Sequence, residues 1–186
     1  MTDLLALWHA EHRKFAHLLL LLERQIHEFH AGEQPNYPLM SDIVDYLRHY
    51  ADAFHHPRED IAFERLVQKD PSVRLTVNRL LQEHRVLAEA GRELQQRLIE
   101  LDVEGVMPRD AVESAAATYL VYYRHHLAKE ESEVLPRIAR TFDEQDWADV
   151  AAALVQGDDP LFGENVDARF RALRKQIVRE AAVTDR

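Results

Sequence analysis

The chain has no cysteine. Disulfides and thiolate-held metals are therefore excluded, and any metal must be held by histidine and carboxylate. Glycine is scarce, with 5 residues in 186. Alanine, leucine, glutamate and arginine dominate instead, a composition that favours an all-α fold. Positive charge is also short: 23 basic residues face 33 acidic ones, for a net charge of −10. That balance argues against nucleic-acid or anionic-membrane partners, which need a basic face. No long apolar run is present. The stretch Leu18–Leu22 is bounded by His17 and Glu23 and is too short to span a bilayer. The opening "MTDLLALWHAEHRK" lacks a basic start followed by an apolar core, so the expectation is a cytoplasmic protein. Histidine is the one residue in excess, at 11.

The length suits one domain with a tail and is enough to bury a core. Breaks fall at "HAGEQPNYP" (30–38), "KDPS" (69–72) and "LDVEGVMPRD" (101–110). Asp70 reads as an N-cap with Pro71 at the first helical position, and Pro108 opens a fourth helix. The segments between, roughly 2–30, 39–69, 71–101 and 108–141, carry apolar residues at spacings of three and four. Four such helices joined by short loops predict an up-down-up-down bundle over residues 1–141. Residues 142–186 predict a helical tail of two shorter helices broken at "GDDPLFG". Trp147, Leu154, Phe162 and Phe170 are available to pack it on the bundle. Apolar residues of the tail can serve as core or as a homodimer contact.

The stretches "YADAFHHPREDIAF" (50–63) and "YRHHLAKEESEVLP" (123–136) place histidine and acid together where a core should be apolar. Residues four apart share a helix face. His55 and Glu59 share theirs with Leu47, Ala51, Ala62, Phe63 and Leu66. His56 falls with Asp45, Arg48, His49, Asp52, Asp60 and Glu64, which reads as a solvated face. His126 and Glu130 lie with Tyr119, Tyr122, Val134 and Ile138, although Glu131 can replace Glu130 after a small rotation. His12 shares its face with Trp8, Phe15 and Leu19, and His84 with Val77, Leu80, Leu81 and Leu87. Each helix thus carries a histidine on its apolar stripe, and two add a carboxylate one turn later. Pairing a lone core histidine needs no metal, but two unpaired buried carboxylates would cost several kcal/mol each. The six inward residues His12, His55, Glu59, His84, His126 and Glu130 read as a metal-ligand set, more than one tetrahedral zinc requires. The other histidines read as surface residues, with His56 and His9 the first candidates for additional ligands.

These residues sit in "EHRKF" (11–15), "HHPRED" (55–60), "QEHRVL" (82–87) and "HLAKEE" (126–131), one motif per helix. In that order they resemble the hemerythrin-like family and its HHE cation-binding branch, and the tail "DDPLFG" is similar to tails of bacterial members. The resemblance implies a non-haem di-iron centre bridged by carboxylates, with the same six residues as ligands. Oxygen-carrying relatives take two histidines from the third helix. Here Leu80 and Ala88 flank His84, so the resemblance points away from simple reversible oxygen carriage toward the branch linked to iron-centre repair, nitric-oxide or peroxide handling and iron sensing. The leading expectation is a di-iron protein that binds or reacts with oxygen, peroxide or nitric oxide. An iron- or oxygen-sensing module without catalysis and a zinc-stabilised structural bundle are the rival readings. Imidazole and carboxylate suit iron, manganese and zinc alike. The Glu-x-x-His pairs of ferritin-like sites are absent. Tyr119 and Tyr122 read as hydrogen-bond partners of ligands or as plain core residues. Pro57 predicts a kink beside the site.

Overall fold

A computed structural model describes residues 3–104, 109–154 and 157–184. Its first arm is α1 (Leu4–His30), capped by the Asp3 carboxylate, which accepts from the Ala6 amide at 3.1 Å. Gly32, at φ 82°, lets the chain turn out of this helix. The second arm joins α2 (Tyr37–Tyr46), a π-helical segment Leu47–His55, and α3 (His56–Lys69). Asn36 caps it by accepting from the Leu39 amide. Asp70 then ends the arm and caps the next, accepting from Ser72 ahead of the short 3-10 turn Pro71–Val73. The third arm is α4 (Arg74–Glu104). The fourth joins α5 (Arg109–Lys129), a π-helical segment Glu130–Val134 and α6 (Leu135–Thr141). Pro108, expected to open this arm, lies outside the described residues. α7 (Glu144–Ala153) and α8 (Arg171–Thr184) follow. The described residues contain no β-strand.

The core shows how the arms run. Leu4 and Trp8 from the start of the first arm meet Phe63 and Leu66 from the end of the second. Leu80 near the start of the third and Ile138 at the end of the fourth complete this apolar cluster. At the opposite end, Phe29, Leu39, Leu98 and Val112 belong to a second cluster. Successive arms are therefore antiparallel, giving the expected up-down-up-down bundle. Its two apolar clusters lie above and below a buried layer of histidine and glutamate. Each large side chain in them, such as Trp8 or Phe15, contributes about 1.5–3 kcal/mol through burial.

The tail lies against this frame. Trp147 packs on Trp8 with ring centroids 6.2 Å apart, and Phe162 and Phe170 meet Tyr46 edge-on at 5.8 and 5.6 Å. A capping box between Asp143 and Asp146 starts α7, and Lys69 and Arg65 of α3 ion-pair with Asp146. The Asp159 carboxylate collects the Tyr46 hydroxyl, Lys14 and the Leu161 and Phe162 amides. No described helix is long and apolar enough to cross a membrane.

Candidate metal centre

The two π-helical segments shape this layer. In a regular helix the inward face returns every three or four residues. In the second arm the buried pairs are Tyr46 with Leu47, Tyr50 with Ala51, then His55 with His56. The last step is five residues long. The His56 amide donates to the Ala51 carbonyl, five residues back, as a π turn requires. Pro57 follows at once: it has no amide hydrogen, and its ring would collide with the Ala53 carbonyl of a tight α turn. The expected disruption at Pro57 is thus a widened turn. The fourth arm repeats the device, with the Leu135 amide donating to Glu130 just before Pro136.

The inward atoms converge. The His12 Nε2 lies 3.1 Å from both His55 Nε2 and Glu59 Oε1. The other Glu59 oxygen stands 3.2 Å from His55 Nε2 and 3.8 Å from His84 Nε2. Glu130 Oε1 lies 3.1 Å from His126 Nε2 and 3.4 Å from His84 Nε2, while its Oε2 is 3.5 Å from His12 Nε2. Donor atoms of Glu59, His84, His126 and Glu130 fall within 4.8 Å of one another, as do those of His12, His55 and Glu59. Glu59 belongs to both groups. The structure thus brings together all six residues picked out by helical spacing. Glu59 Oε2, both Glu130 oxygens, and the Nε2 atoms of His84 and His126 are buried without a hydrogen bond. Orphaned donors and acceptors of this kind are costly unless something else satisfies them.

A second ring of carboxylates holds the histidines from behind. Glu11 of α1 accepts from His55 Nδ1 at 2.7 Å, and Asp60 of α3 from His84 Nδ1 at 2.7 Å. Glu83 of α4 contacts His126 Nδ1 at 3.2 Å, and Glu131 of the fourth arm contacts His12 Nδ1 at 2.8 Å. Each arm therefore steadies the histidine of the next, around a closed circle. With Nδ1 engaged, Nε2 is left facing inward, the arrangement that orients imidazoles in metal sites.

The electrostatics follow from this packing. Burial opposes charge on His55 and His126, but Glu59 and Glu11 beside the first and Glu130 beside the second outweigh it, raising both to about 10. His12 and His84 are also raised, against burial, by hydrogen bonds to Glu59 and to Asp60. Burial would lift the Glu59 carboxyl, yet His55 and His12 hold it well below its ordinary range. His56 behaves oppositely: burial and the neighbouring His84 and His126 keep it neutral.

Several sequence expectations need correction. His56 is 3% exposed, not solvated, because the five-residue step rotates it inward beside His55. Tyr122 is 46% exposed, whereas Tyr123, one residue on, is fully buried beside His56. The alternative Glu131 is the support of His12 and of His9, which it meets at 2.7 Å, and Glu130 is the inward acid. Asp60, expected on a solvated face, and Glu11 and Glu83, given no role by the sequence, are the supports of His84, His55 and His126. Their signal was adjacency: each precedes or follows an inward donor by one residue. One step of about 100° along a helix aims the side chain at the neighbouring arm.

The donor set of imidazole nitrogens and carboxylate oxygens, with no sulfur, suits iron, manganese or zinc. No curated protein and no solved structure matches the chain. Residues 3–138, which contain the whole donor layer, match the model of the hemerythrin HHE cation binding domain. With this match across most of its length and a buried histidine–glutamate layer in its bundle, the chain belongs to the hemerythrin HHE cation-binding family.

Proposed function

We propose that His12, His55, Glu59, His84, His126 and Glu130 hold a non-haem di-iron centre that binds or reacts with oxygen, peroxide or nitric oxide. The observation that carries this reading is the convergence of buried, unsatisfied donor atoms on two overlapping positions that share Glu59. Glu59 reaches His12, His55 and His84, and Glu130 reaches His12, His84 and His126, so either carboxylate would serve as a ligand at both positions. Iron held there supplies redox change and open coordination for a small ligand. The protein's own part is to exclude bulk water with the two apolar clusters and to fix each imidazole through its outer carboxylate.

Elemental analysis of wild type and His55→Ala, expressed with added iron, tests the reading. It predicts about two irons per chain in the wild type and a sharp drop in the variant. One zinc per chain, or no metal in either protein, refutes it. Optical titration of the iron-loaded protein with nitric oxide and peroxide then separates the ligands, and an inert spectrum with both removes the reactive half of the proposal.

One observation favours a sensing role at the same centre. The tail loop is fastened to residues beside the donors: Arg58, next to Glu59, donates to the Gly157 carbonyl at 3.0 Å, and Lys14 of α1 pairs with Asp159 at 3.1 Å. A sensor predicts that iron protects residues 157–167 from proteolysis. Identical cleavage with and without iron argues against it.

A further inference from the structure

The imidazole of His56 has no assigned role among the six donors, yet its setting matches theirs. It is 97% buried by its 3% exposure, and neither ring nitrogen makes a hydrogen bond. Its ring stacks on His84 at 4.2 Å with the planes 13° apart, and it meets the His126 ring edge-on at 5.5 Å. A ring nitrogen of His56 lies within 4.8 Å of ring nitrogens of His84 and His126. Its Nδ1 is turned toward the Asp52 carboxylate, 3.3 Å away, which leaves Nε2 as the free nitrogen. The four other inward histidines share this polarity, Nδ1 toward a carboxylate and Nε2 toward the interior.

Two further facts bear on it. One turn either side of His84, α4 carries Leu80 and Ala88, so α4 brings no second imidazole to this side. The π turn that carries His56 inward breaks the regular hydrogen-bond pattern of the arm; in a regular helix His56 would share the face of Asp52 and Asp60, whose side chains are 19% and 40% exposed. A buried imidazole with both nitrogens unsatisfied is destabilising as mere packing, where an apolar residue would serve better.

We infer that His56 is a seventh metal ligand, so that one metal position takes three histidines, His56, His84 and His126, and the other takes two, His12 and His55. The inference rests on the di-iron reading. It makes the two positions unequal and gives the position near His56 the stronger nitrogen field.

The test compares His56→Phe with His56→Glu. Phenylalanine keeps a flat ring against His84 but offers no donor; glutamate loses the ring but restores a donor of similar reach. Far-ultraviolet circular dichroism of the metal-free proteins checks that both fold. With iron added at equal concentrations, the expected result is about two irons for wild type and for His56→Glu. His56→Phe is expected to hold about one, or to bind the second at least tenfold more weakly. Two tightly held irons in His56→Phe, with wild type also holding two, overturn the inference alone. A loss of iron in His56→Glu as deep as in His56→Phe also overturns it, because it assigns the ring to packing. Wild type without iron overturns both this inference and the di-iron reading.

Discussion

The circle of outer carboxylates predicts a sharp contrast between two members with similar geometry and different burial. Glu11 is 1% exposed and bridges His55 Nδ1 at 2.7 Å and the Tyr50 hydroxyl at 2.6 Å. Glu131 bridges His12 Nδ1 at 2.8 Å and His9 Nδ1 at 2.7 Å, but its side chain is 37% exposed. Replacing each by leucine removes two charge-assisted hydrogen bonds while keeping volume. At Glu11 the abandoned donors stay buried, so the metal-free fold should lose about 3–5 kcal/mol. For a chain of this size each kcal/mol lowers Tm by about 2–4 °C, so the midpoint should fall by about 6–20 °C. At Glu131 water takes over the contact to part-exposed His9, while only the buried His12 Nδ1 loses its acceptor, and the cost should be about 1–2 kcal/mol. Both variants should bind metal about 10–100-fold more weakly, because each frees the imidazole it oriented. Thermal melts followed by circular dichroism in chelator give the first pair of numbers, and competition with a chelator of known affinity gives the second. Equal losses of Tm in Glu11→Leu and Glu131→Leu would refute the argument from burial. Unchanged metal affinity in both would refute the orienting role.

Other consequences can be checked alongside. His55 and His126 are raised to about 10 from an ordinary 6.5, so their contribution to metal-free stability is complete below about pH 6.5 and is lost as pH rises toward 10. Metal displaces these protons, so affinity should climb through the same range with proton release visible in weakly buffered titrations; a pH-independent affinity would contradict it. The Tyr123 hydroxyl is buried without a partner, so Tyr123→Phe should leave stability unchanged or raise it by about 1 kcal/mol. Exposed Tyr122 should tolerate the same change within about 0.5 kcal/mol, as urea unfolding will show. A Cβ at Gly163 would overlap the Asp159 carbonyl that its own amide bonds at 2.9 Å. Gly163→Ala should therefore cost about 1–3 kcal/mol, with faster proteolysis of the tail loop as the readout.

The sequence by itself determined the four arms, their order and the six inward donors, because helical periodicity and turn residues are local properties. Stripes of leucine, valine and phenylalanine mark which face is buried, so a histidine or glutamate on such a stripe is legible one helix at a time. His56 was misread because that method assumes a constant 100° step, and the step changes where the arm widens before Pro57. Tyr122 was misread although its helix is regular there: it falls at the edge of the buried stripe, which runs through Tyr119, Tyr123 and His126. Glu11, Asp60 and Glu83 lie one residue off the stripe, where an acid looks merely solvated, and Glu131 looks like a stand-in for Glu130. Only the tertiary structure shows that the neighbouring arm presents a histidine Nδ1 to each, closing the circle. The seating of the tail on Tyr46, Lys14 and Arg58 was likewise decided by tertiary contacts between residues far apart in the chain. Periodicity reports which way a side chain leaves its own helix; what it meets depends on the register of the helices packed around it.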